Sequence, residues 1–323
     1  MLVLDLSISL CLIIMGFFVG VLSGFFGFGG GFILTPLLIS LGFPANVAVG
    51  TSVTEIFMSS IIASLKHKRL GNLDAKAGLI VALSSIPGTE FGAQIIEHLK
   101  TNIQRVNFAV SLSYILILVL ISMYMIRESL ISNREKSLEK KTLRFRINRL
   151  KIPPLIAVSR QDAKPISLWM LVAIGFIGGL SAGFLGAGGG FILVPLLIYA
   201  VGYAPSVAAG TCIFGILISC VYASLTHALK GNVDLISAIL IFTGSSIGVQ
   251  IGASATKRVK EKSFKMAFGL CLGFISLSVM AKLISSLYEM SALTVFSQII
   301  IFSALFTLAS LIILLSMRGA VKS

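Results

Sequence analysis

Two carboxylates stand inside long apolar stretches of the amino-acid sequence, at Glu55 and Glu90. A carboxylate near the centre of a bilayer costs about 2.5–3.5 kcal/mol on insertion scales, so each residue is a functional candidate by default. Desolvation favours the neutral acid, which can take up and release a proton. The structural alternative is a carboxyl that is hydrogen-bonded to a neighbour or reaches the membrane surface. The functional interpretation predicts a proton carrier at one of these two positions.

Clusters of glycine interrupt the two longest apolar stretches, which cover 8–41 and 167–201. Each stretch would form a helix of about 51 Å, which is too long for one ordinary membrane crossing. Glycine costs about 1 kcal/mol relative to alanine in a helix interior, so four glycines within five positions should end the helix. A short second helix is then expected to begin at Phe32 and at Phe191. The clustered glycines are Gly27, Gly29, Gly30, Gly31, Gly186, Gly188, Gly189 and Gly190.

These two expected helix starts have the chemistry of an anion site. The first backbone N–H groups of a helix lack partners and together carry roughly half a positive charge. In hydrocarbon such groups must face protein, water or a bound anion. Two starts that converge beside a cavity near the membrane midplane would hold an anion without a buried lysine or arginine. The alternative is that the glycines only permit close packing, as the GxxxG spacings elsewhere in the chain do.

Hydroxyl and thiol side chains follow both short helices, near the start of the next helix. They either cap that helix or line the path of the anion. The full set of predicted substrate-binding residues is Gly29, Gly30, Gly31, Phe32, Thr51, Ser52, Gly188, Gly189, Gly190, Phe191, Thr211 and Cys212.

The composition places these groups in a membrane. Of 323 residues, 56% are hydrophobic and only 12% are charged, whereas soluble proteins carry about 25% charged residues. This excludes a cytosolic enzyme, a secreted disulfide scaffold and a nucleic-acid-binding domain. The net charge of +14 indicates basic cytoplasmic loops. The first 24 residues lack a basic leader segment and are expected to be retained as a membrane segment.

No catalytic or metal-binding constellation can be assembled from the residues. The four cysteines occur singly in apolar runs, and the three histidines are too few for a histidine-based metal site. His67 and His227 close matching SLKH and SLTH strings, where interfacial capping and loop anchoring are expected. We therefore expect no enzyme activity, no metal and no cofactor.

The chain contains an internal duplication. Residues 24–39 and 183–198 match at 13 of 16 positions, and the match continues through VGTS and AGTC, SLKH and SLTH, and GNxD strings. The predicted organisation is an N-terminal membrane repeat at 1–127, a basic cytoplasmic loop at 128–166, a C-terminal membrane repeat at 167–290, and an additional transmembrane helix at 291–323. The fold expected is an all-α polytopic membrane protein.

Basic clusters predict how the repeats are oriented. The clusters at 66–76, 127–164 and 257–265 should all be cytoplasmic. They can share one side only if the stretch 167–201 enters and leaves by the same face or crosses twice. The equivalent loops 66–76 and 229–235 then lie on opposite sides. The sequence therefore predicts two inverted repeats, each with a glycine-broken or re-entrant first element.

The duplicated GxGGGFxxxPLL strings, the following GT pairs and the SLxH and GNxD segments, over roughly 16–260, resemble the TauE/SafE sulfite-exporter family of bacterial permeases. The resemblance implies a multi-pass permease of the inner, cytoplasmic membrane that exports sulfite, an organosulfonate or a related small anion by secondary transport. We expect rocking of the two halves and coupling to protons. The alternative is a passive anion channel. The expected partners are the anion and membrane lipid, with no nucleic acid, and the sequence is compatible with a homodimer.

Overall fold

The computed structural model of this chain is an all-α, multi-pass membrane protein. It describes residues 6–99, 103–131, 152–156, 166–185, 189–288 and 290–320. Seven helices in these ranges are long and apolar enough to cross a membrane. Most of the predicted basic loop at 128–166 lies outside the described residues.

Within the described residues, the first half contains five helices and the second half five more, followed by a last long helix. The first five are α1 (Leu6–Phe26), α2 (Gly31–Ser40), α3 (Ala45–Arg69), α4 (Ala75–Leu99) and α5 (Ile103–Ile131). The others are α6 (Leu168–Leu185), α7 (Gly190–Leu196), α8 (Pro205–Leu229), α9 (Leu235–Arg258), α10 (Glu261–Tyr288) and α11 (Ser291–Ala320). A π-helical turn, Leu197–Val201, continues α7. Strands β1 (Leu155–Ile156) and β2 (Ile166–Ser167) pair antiparallel.

The predicted glycine breaks are present in both halves. Helix α1 ends at Phe26 and α2 begins at Gly31, with Gly30 in the left-handed region at a φ of 78°. Helix α7 likewise begins after Gly189, whose φ is 66°. Side chains other than glycine rarely adopt such angles, so these residues end one helix and redirect the chain into the next. Two glycines of the second cluster, Gly186 and Gly188, lie outside the described residues.

Each half packs its first helix along the fourth helix of the other half. Small residues allow the backbones to approach closely, because a methyl group at Gly20 would lie 2.7 Å from the Cα of Ser245. The contacts of α1 with α9 follow chain order: Gly16 meets Ile241, Gly20 meets Ser245, and Gly24 meets Val249. Those of α6 with α4 repeat them: Gly175 meets Val81, Gly179 meets Ser85, and Gly183 meets Thr89. Both pairs of helices therefore run parallel.

Helices α3 and α8, which are equivalent in the duplication, run antiparallel. Gly50 near the start of α3 touches the carbonyl of Asn232, which follows the end of α8. Gly210 near the start of α8 touches the carbonyl of Asn72, which follows the end of α3. The short helices α2 and α7 are enclosed by the long ones and are largely buried. The chain therefore places its two glycine bends at the centre of the molecule.

Candidate functional site

The two glycine bends meet in the core. A methyl group at Gly190 would lie 2.6 Å from the Cα of Phe28, so the backbones of the two bends are in direct contact. The rings of Phe32 and Phe191, which follow the bends, have centroids 5.9 Å apart. Sequence positions 159 residues apart are thus brought together by the crossed packing of the halves.

Isoleucine side chains close the space beside the bends. A methyl group at Gly29 would lie 3.1 Å from both Ile56 and Ile216, which are equivalent residues of the two halves. At Gly31 the distance to Ile56 is 2.8 Å. These branched side chains therefore occupy the space where a side chain at Gly29 or Gly31 would stand. A cavity of about 10 Å³ lies elsewhere, lined by apolar residues of α1, α2, α10 and α11, among them Leu22, Ile33 and Leu305.

Both short helices begin without a side-chain cap. Neither Gly30 nor Gly189, the residues at the N-cap positions, has a side chain, and no cap hydrogen bond is made there. The first intrahelical bonds are made by the N–H groups of residues 33 and 34 in α2 and of residues 192 and 193 in α7. The starts of the two helices therefore keep the partial positive charge of uncapped amides.

The predicted hydroxyl residues connect the halves. Thr211 in α8 accepts a 3.1 Å hydrogen bond from the backbone N–H of Asp74, at the turn after α3. Thr51 in α3 accepts a 3.0 Å bond from the N–H of Asp234, at the turn after α8. The other two predicted residues have partners within their own half of the chain. Ser52 donates to the Ala48 carbonyl, and the Cys212 thiol lies 3.9 Å from the carbonyl of Gly190.

We call the contact of the Asp74 turn with α8 and that of the Asp234 turn with α3 the two crossing points. They differ in how deeply their aspartates are buried. Asp74 is buried and accepts a 2.9 Å hydrogen bond from the Tyr203 hydroxyl, whereas Asp234 is partly exposed. The residue equivalent to Tyr203 is Phe43, which has no hydroxyl. Burial and the neighbouring Asp74 carboxylate raise the pKa of Tyr203, so its hydroxyl stays a donor.

We expect Tyr203→Phe to lower the free energy of unfolding by about 1.5–3 kcal/mol, the usual range for a hydrogen bond to a charged group. Its loss leaves one oxygen of the buried Asp74 without this donor. Thermal unfolding of the purified protein in detergent measures the effect. Tyr222→Phe is the control, because Tyr222 is 70% exposed and should tolerate the change. Equal melting temperatures for the two variants would contradict the role given to Tyr203.

Glu55 lies in the core, at the junction of α3 with α9. Its side chain is 2% exposed, and its Oε1 accepts a 2.5 Å hydrogen bond from the Ser245 hydroxyl. Ser245 also lies against Gly20 of α1, and the residue after Glu55, Ile56, contacts the first bend. A change in the charge of Glu55 would therefore act directly on the packing of three helices around the bend.

Glu90 lies apart from this network. It is exposed on α4, and its Oε1 accepts a 3.2 Å hydrogen bond from Gln94, one turn further along the helix. The structure therefore does not bring the two predicted carboxylates together. In the part of the chain that the structure describes, no group of three or more histidine, cysteine or acidic residues could hold a metal ion.

The sequence matches the family described as Sulfite exporter TauE/SafE over residues 12–279, which includes both bends, both crossing points and Glu55. The chain belongs to the TauE/SafE family. Members of this family are membrane transporters, so the two bends lie at the centre of a permease and not of an enzyme.

Curated relatives of this TauE/SafE chain carry transporter names. Two are from Bacillus subtilis: "Probable membrane transporter protein YunE", 25% identical over 81% of this chain and 93% of its own length, and YjnA, of the same description, 30% identical over 79% and 92%. A probable membrane transporter protein of Methanocaldococcus jannaschii is 28% identical over 82% and 93%. No solved structure matches the chain significantly.

The sequence singled out His67 but gave no role to three buried serines of the TauE/SafE chain, and these four residues share one property. Their polar atoms have no hydrogen-bond partner among the described residues, namely Ser23 Oγ, Ser60 Oγ, Ser64 Oγ and His67 Nδ1. The available signal was the spacing of Ser60, Ser64 and His67, which places them on one face of a helix. His67, for which interfacial capping and loop anchoring were expected, is fully buried, and its Nε2 lies 3.0 Å from the Gly24 carbonyl oxygen.

Proposed function

We propose that this permease is a secondary active transporter that moves a small sulfur-containing anion, such as sulfite or an organosulfonate, out of the cell across the cytoplasmic membrane. The observation that carries the proposal is the meeting of two uncapped helix starts in the core of a TauE/SafE protein. Backbone N–H groups at such starts attract anions without a basic side chain. The family's description as a sulfite exporter supports a sulfur oxyanion as substrate.

The halves act as inverted repeats in this proposal. Equivalent helices would run parallel if the axis relating them stood along the membrane normal. Helices α3 and α8 instead run antiparallel, which supports an axis in the membrane plane. With the basic segments 66–76 and 257–265 in the cytoplasm, the Asp74 turn is cytoplasmic and the Asp234 turn lies on the other side.

Transport would proceed by alternating access. The bends are packed too closely in this conformation to admit an anion, so they must separate when the substrate binds. The unequal crossing points support such a movement: the Asp74 turn is buried under Tyr203, while the Asp234 turn is partly exposed. A rocking movement that opens one crossing point and closes the other would expose the bends to each side in turn.

The predicted binding residues are retained in the proposal with distinct roles. The N–H groups at Gly30–Phe32 and Gly189–Phe191 would bind the anion, and the tight glycine contacts would let the two bends close around it. Thr51 and Thr211 would hold the crossing points. Ser52 and Cys212 remain predicted substrate contacts, and Gly188 lies outside the described residues.

Glu55 is the carboxylate best placed to couple transport to protons. It is enclosed by protein and bonded to Ser245 across the helices that enclose the first bend. The free energy of burying a carboxyl group is much less favourable when the group is charged than when it is protonated. Gain or loss of a proton at Glu55 would therefore favour different packings of these helices. Glu90, which is exposed, is retained as the comparison residue.

Purified protein in liposomes tests the proposed function. Counterflow of sulfite, sulfoacetate and sulfate is measured with and without a pH gradient. We expect saturable counterflow of at least one sulfur anion and accumulation of that anion driven by the pH gradient. Flux without saturation and without accumulation would indicate a passive anion channel. Absence of flux for all three anions would contradict the proposal.

A further inference from the structure

Four polar atoms in the core of the first half have no hydrogen-bond partner among the described residues. They belong to Ser23, Ser60, Ser64 and His67, whose exposed fractions are 2%, 0%, 6% and 0%. Buried hydroxyl and imidazole groups are normally paired, because an unpaired one loses its bonds to water without replacement. Neighbouring serines in the same helices do pair, as Ser52 does with the Ala48 carbonyl. Four unpaired atoms together therefore point to water or a ligand as the missing partner.

We call these four residues the serine–histidine row. Three of them lie on α3 and one on α1, beside the first glycine bend. Ile56 of α3 contacts Gly29 and Gly31, and three turns later His67 contacts the Gly24 carbonyl. Ser60 and Ser64 lie between them, four and eight residues after Ile56 and so on the same helix face. Ser23 completes the row from α1, since its Oγ is 3.9 Å from the position of a methyl group on Gly30. The row therefore runs from the end of α3 to the bend.

The second half has the same helices and keeps the histidine, His227, whose Nδ1 also has no partner among the described residues, but it lacks the unpaired serines of the row. Ala182 and Cys220 stand where the first half has Ser23 and Ser60. Ser224, the equivalent of Ser64, is paired with Thr54 at 3.0 Å. Both halves make the same close helix contacts, so the packing does not require the serines. The unpaired serines of the row are therefore confined to the first half, which favours a function that is needed at only one side of the membrane.

Positive charge surrounds the outer end of the row. Lys68 and Arg69 directly follow His67 and are exposed, and Lys76 is exposed just beyond the turn. The equivalent turn of the second half, 229–235, has only Lys230 as a basic residue. A rim of like charges raises the local concentration of anions. The rim belongs to the segment that the proposed topology places in the cytoplasm.

We infer that the serine–histidine row is the cytoplasmic entrance of the permease, through which a small oxyanion passes from the Lys68–Arg69 rim to the first glycine bend. The inference rests on the proposed function and adds the loading side and the contact residues. Three hydroxyls supply hydrogen-bond donors for oxyanion oxygens. The Gly24 carbonyl can only accept, so Nε2 of His67 carries a proton; in a neutral ring Nδ1 then accepts from water or from a protonated oxyanion.

Site-resolved thiol labelling of Ser60→Cys tests this entrance. Inverted membrane vesicles, which expose the cytoplasmic face, are treated with the anionic reagent methanethiosulfonate ethylsulfonate, and the modified cysteine is identified by mass spectrometry. The control is Ser278→Cys, because Ser278 is 4% exposed but has its hydroxyl paired with Ser297 at 2.9 Å. We expect residue 60 to be modified at least about tenfold faster than residue 278, as for a water-accessible site. Sulfoacetate, which does not consume the reagent as sulfite does, should slow the reaction at residue 60 only.

Each result decides the inference. Equal rates at residues 60 and 278, or modification of residue 60 only from the outer face, would overturn the cytoplasmic entrance. Fast modification that sulfoacetate and sulfate both leave unchanged would overturn contact with the anion. Labelling needs no transport, so a chain that labels as expected but moves no sulfur anion would refute the proposed function and leave the water-filled entrance standing.

A second variant guards against a structural effect of the cysteine. Ser60→Ala removes one hydroxyl and should raise KM for the transported anion about 3- to 10-fold, the effect expected from one hydrogen bond. Ser278→Ala, which removes a hydroxyl that is paired with Ser297 between α10 and α11, should leave KM unchanged. A folded Ser60→Ala protein with wild-type KM would contradict the contact.

Discussion

Gly190→Ala is expected to lower the rate of substrate counterflow about tenfold or more while the protein still inserts and purifies as a folded species. The added methyl would lie 2.6 Å from the Cα and 2.7 Å from the carbonyl oxygen of Phe28. These are backbone atoms, which cannot rotate away as a side chain can. Overpacking of this kind typically costs about 1–3 kcal/mol, and the cost falls on every conformation in which the two bends meet. Conformations with separated bends are favoured by the same free energy. The transport cycle is then slowed, because it must pass through conformations in which the bends meet.

Gly215→Ala is the matched control for this prediction. Gly215 is also a buried glycine of the second half, in the middle of α8, but the nearest atom to an added methyl is 3.5 Å away, an ordinary contact distance. Alanine also suits a helix interior better than glycine. We expect wild-type counterflow from Gly215→Ala. If Gly190→Ala, recovered at normal yield and with a normal elution profile, transported as fast as this control, close approach of the bends would not be needed for transport.

The positions of the helix breaks could be predicted from sequence because glycine acts locally. Four glycines in five positions remove helix propensity wherever the segment lies, and the breaks occur at these clusters. The family could also be predicted, since duplicated motifs in register are specific. Local arguments are weaker for what surrounds a bend. Ile56 and Ile216 fill the space beside Gly29, and their arrival there depends on how α3 and α8 cross.

The two carboxylates show a second limit of the sequence. Glu55 and Glu90 look alike in it, since both are single acids within apolar runs. Membrane helices are apolar on faces that meet lipid as well as on faces that meet protein, so hydrophobic periodicity does not say which face is buried. Only the packing of α3 on α9 encloses Glu55, while the exposed face of α4 carries Glu90.

The three serines of the serine–histidine row were missed for a related reason. Serine is common in membrane helices and usually bonds to a carbonyl of the preceding turn, so Ser60 and Ser64 have no special signal in the sequence. They become informative because their hydroxyls lack such bonds while the side chains are buried. Comparison of the halves would have helped, since Ser60 is replaced by Cys220 at the equivalent position.

Glu55→Gln is expected to abolish accumulation driven by a pH gradient while substrate counterflow continues. Glutamine keeps the shape of the protonated acid and can still accept the hydrogen bond from Ser245, but it cannot release a proton. Counterflow exchanges substrate for substrate and needs no net proton movement, whereas accumulation requires the carrier to return with a different protonation state. In liposomes, the internal and external anion concentrations should therefore become nearly equal, whatever the pH gradient.

Glu90→Gln separates this effect from a general loss of negative charge. Glu90 is exposed and bonded to Gln94 within its own helix, so its neutralisation should leave accumulation unchanged. Loss of both accumulation and counterflow in Glu55→Gln would assign Glu55 to folding or to substrate binding rather than to coupling. If Glu90→Gln lost the pH-driven accumulation and Glu55→Gln kept it, the proton carrier would instead be Glu90, on the exposed face of α4. The pair thus tests whether coupling needs a carboxylate enclosed by the helices around the bend, because only there does its charge affect how those helices pack.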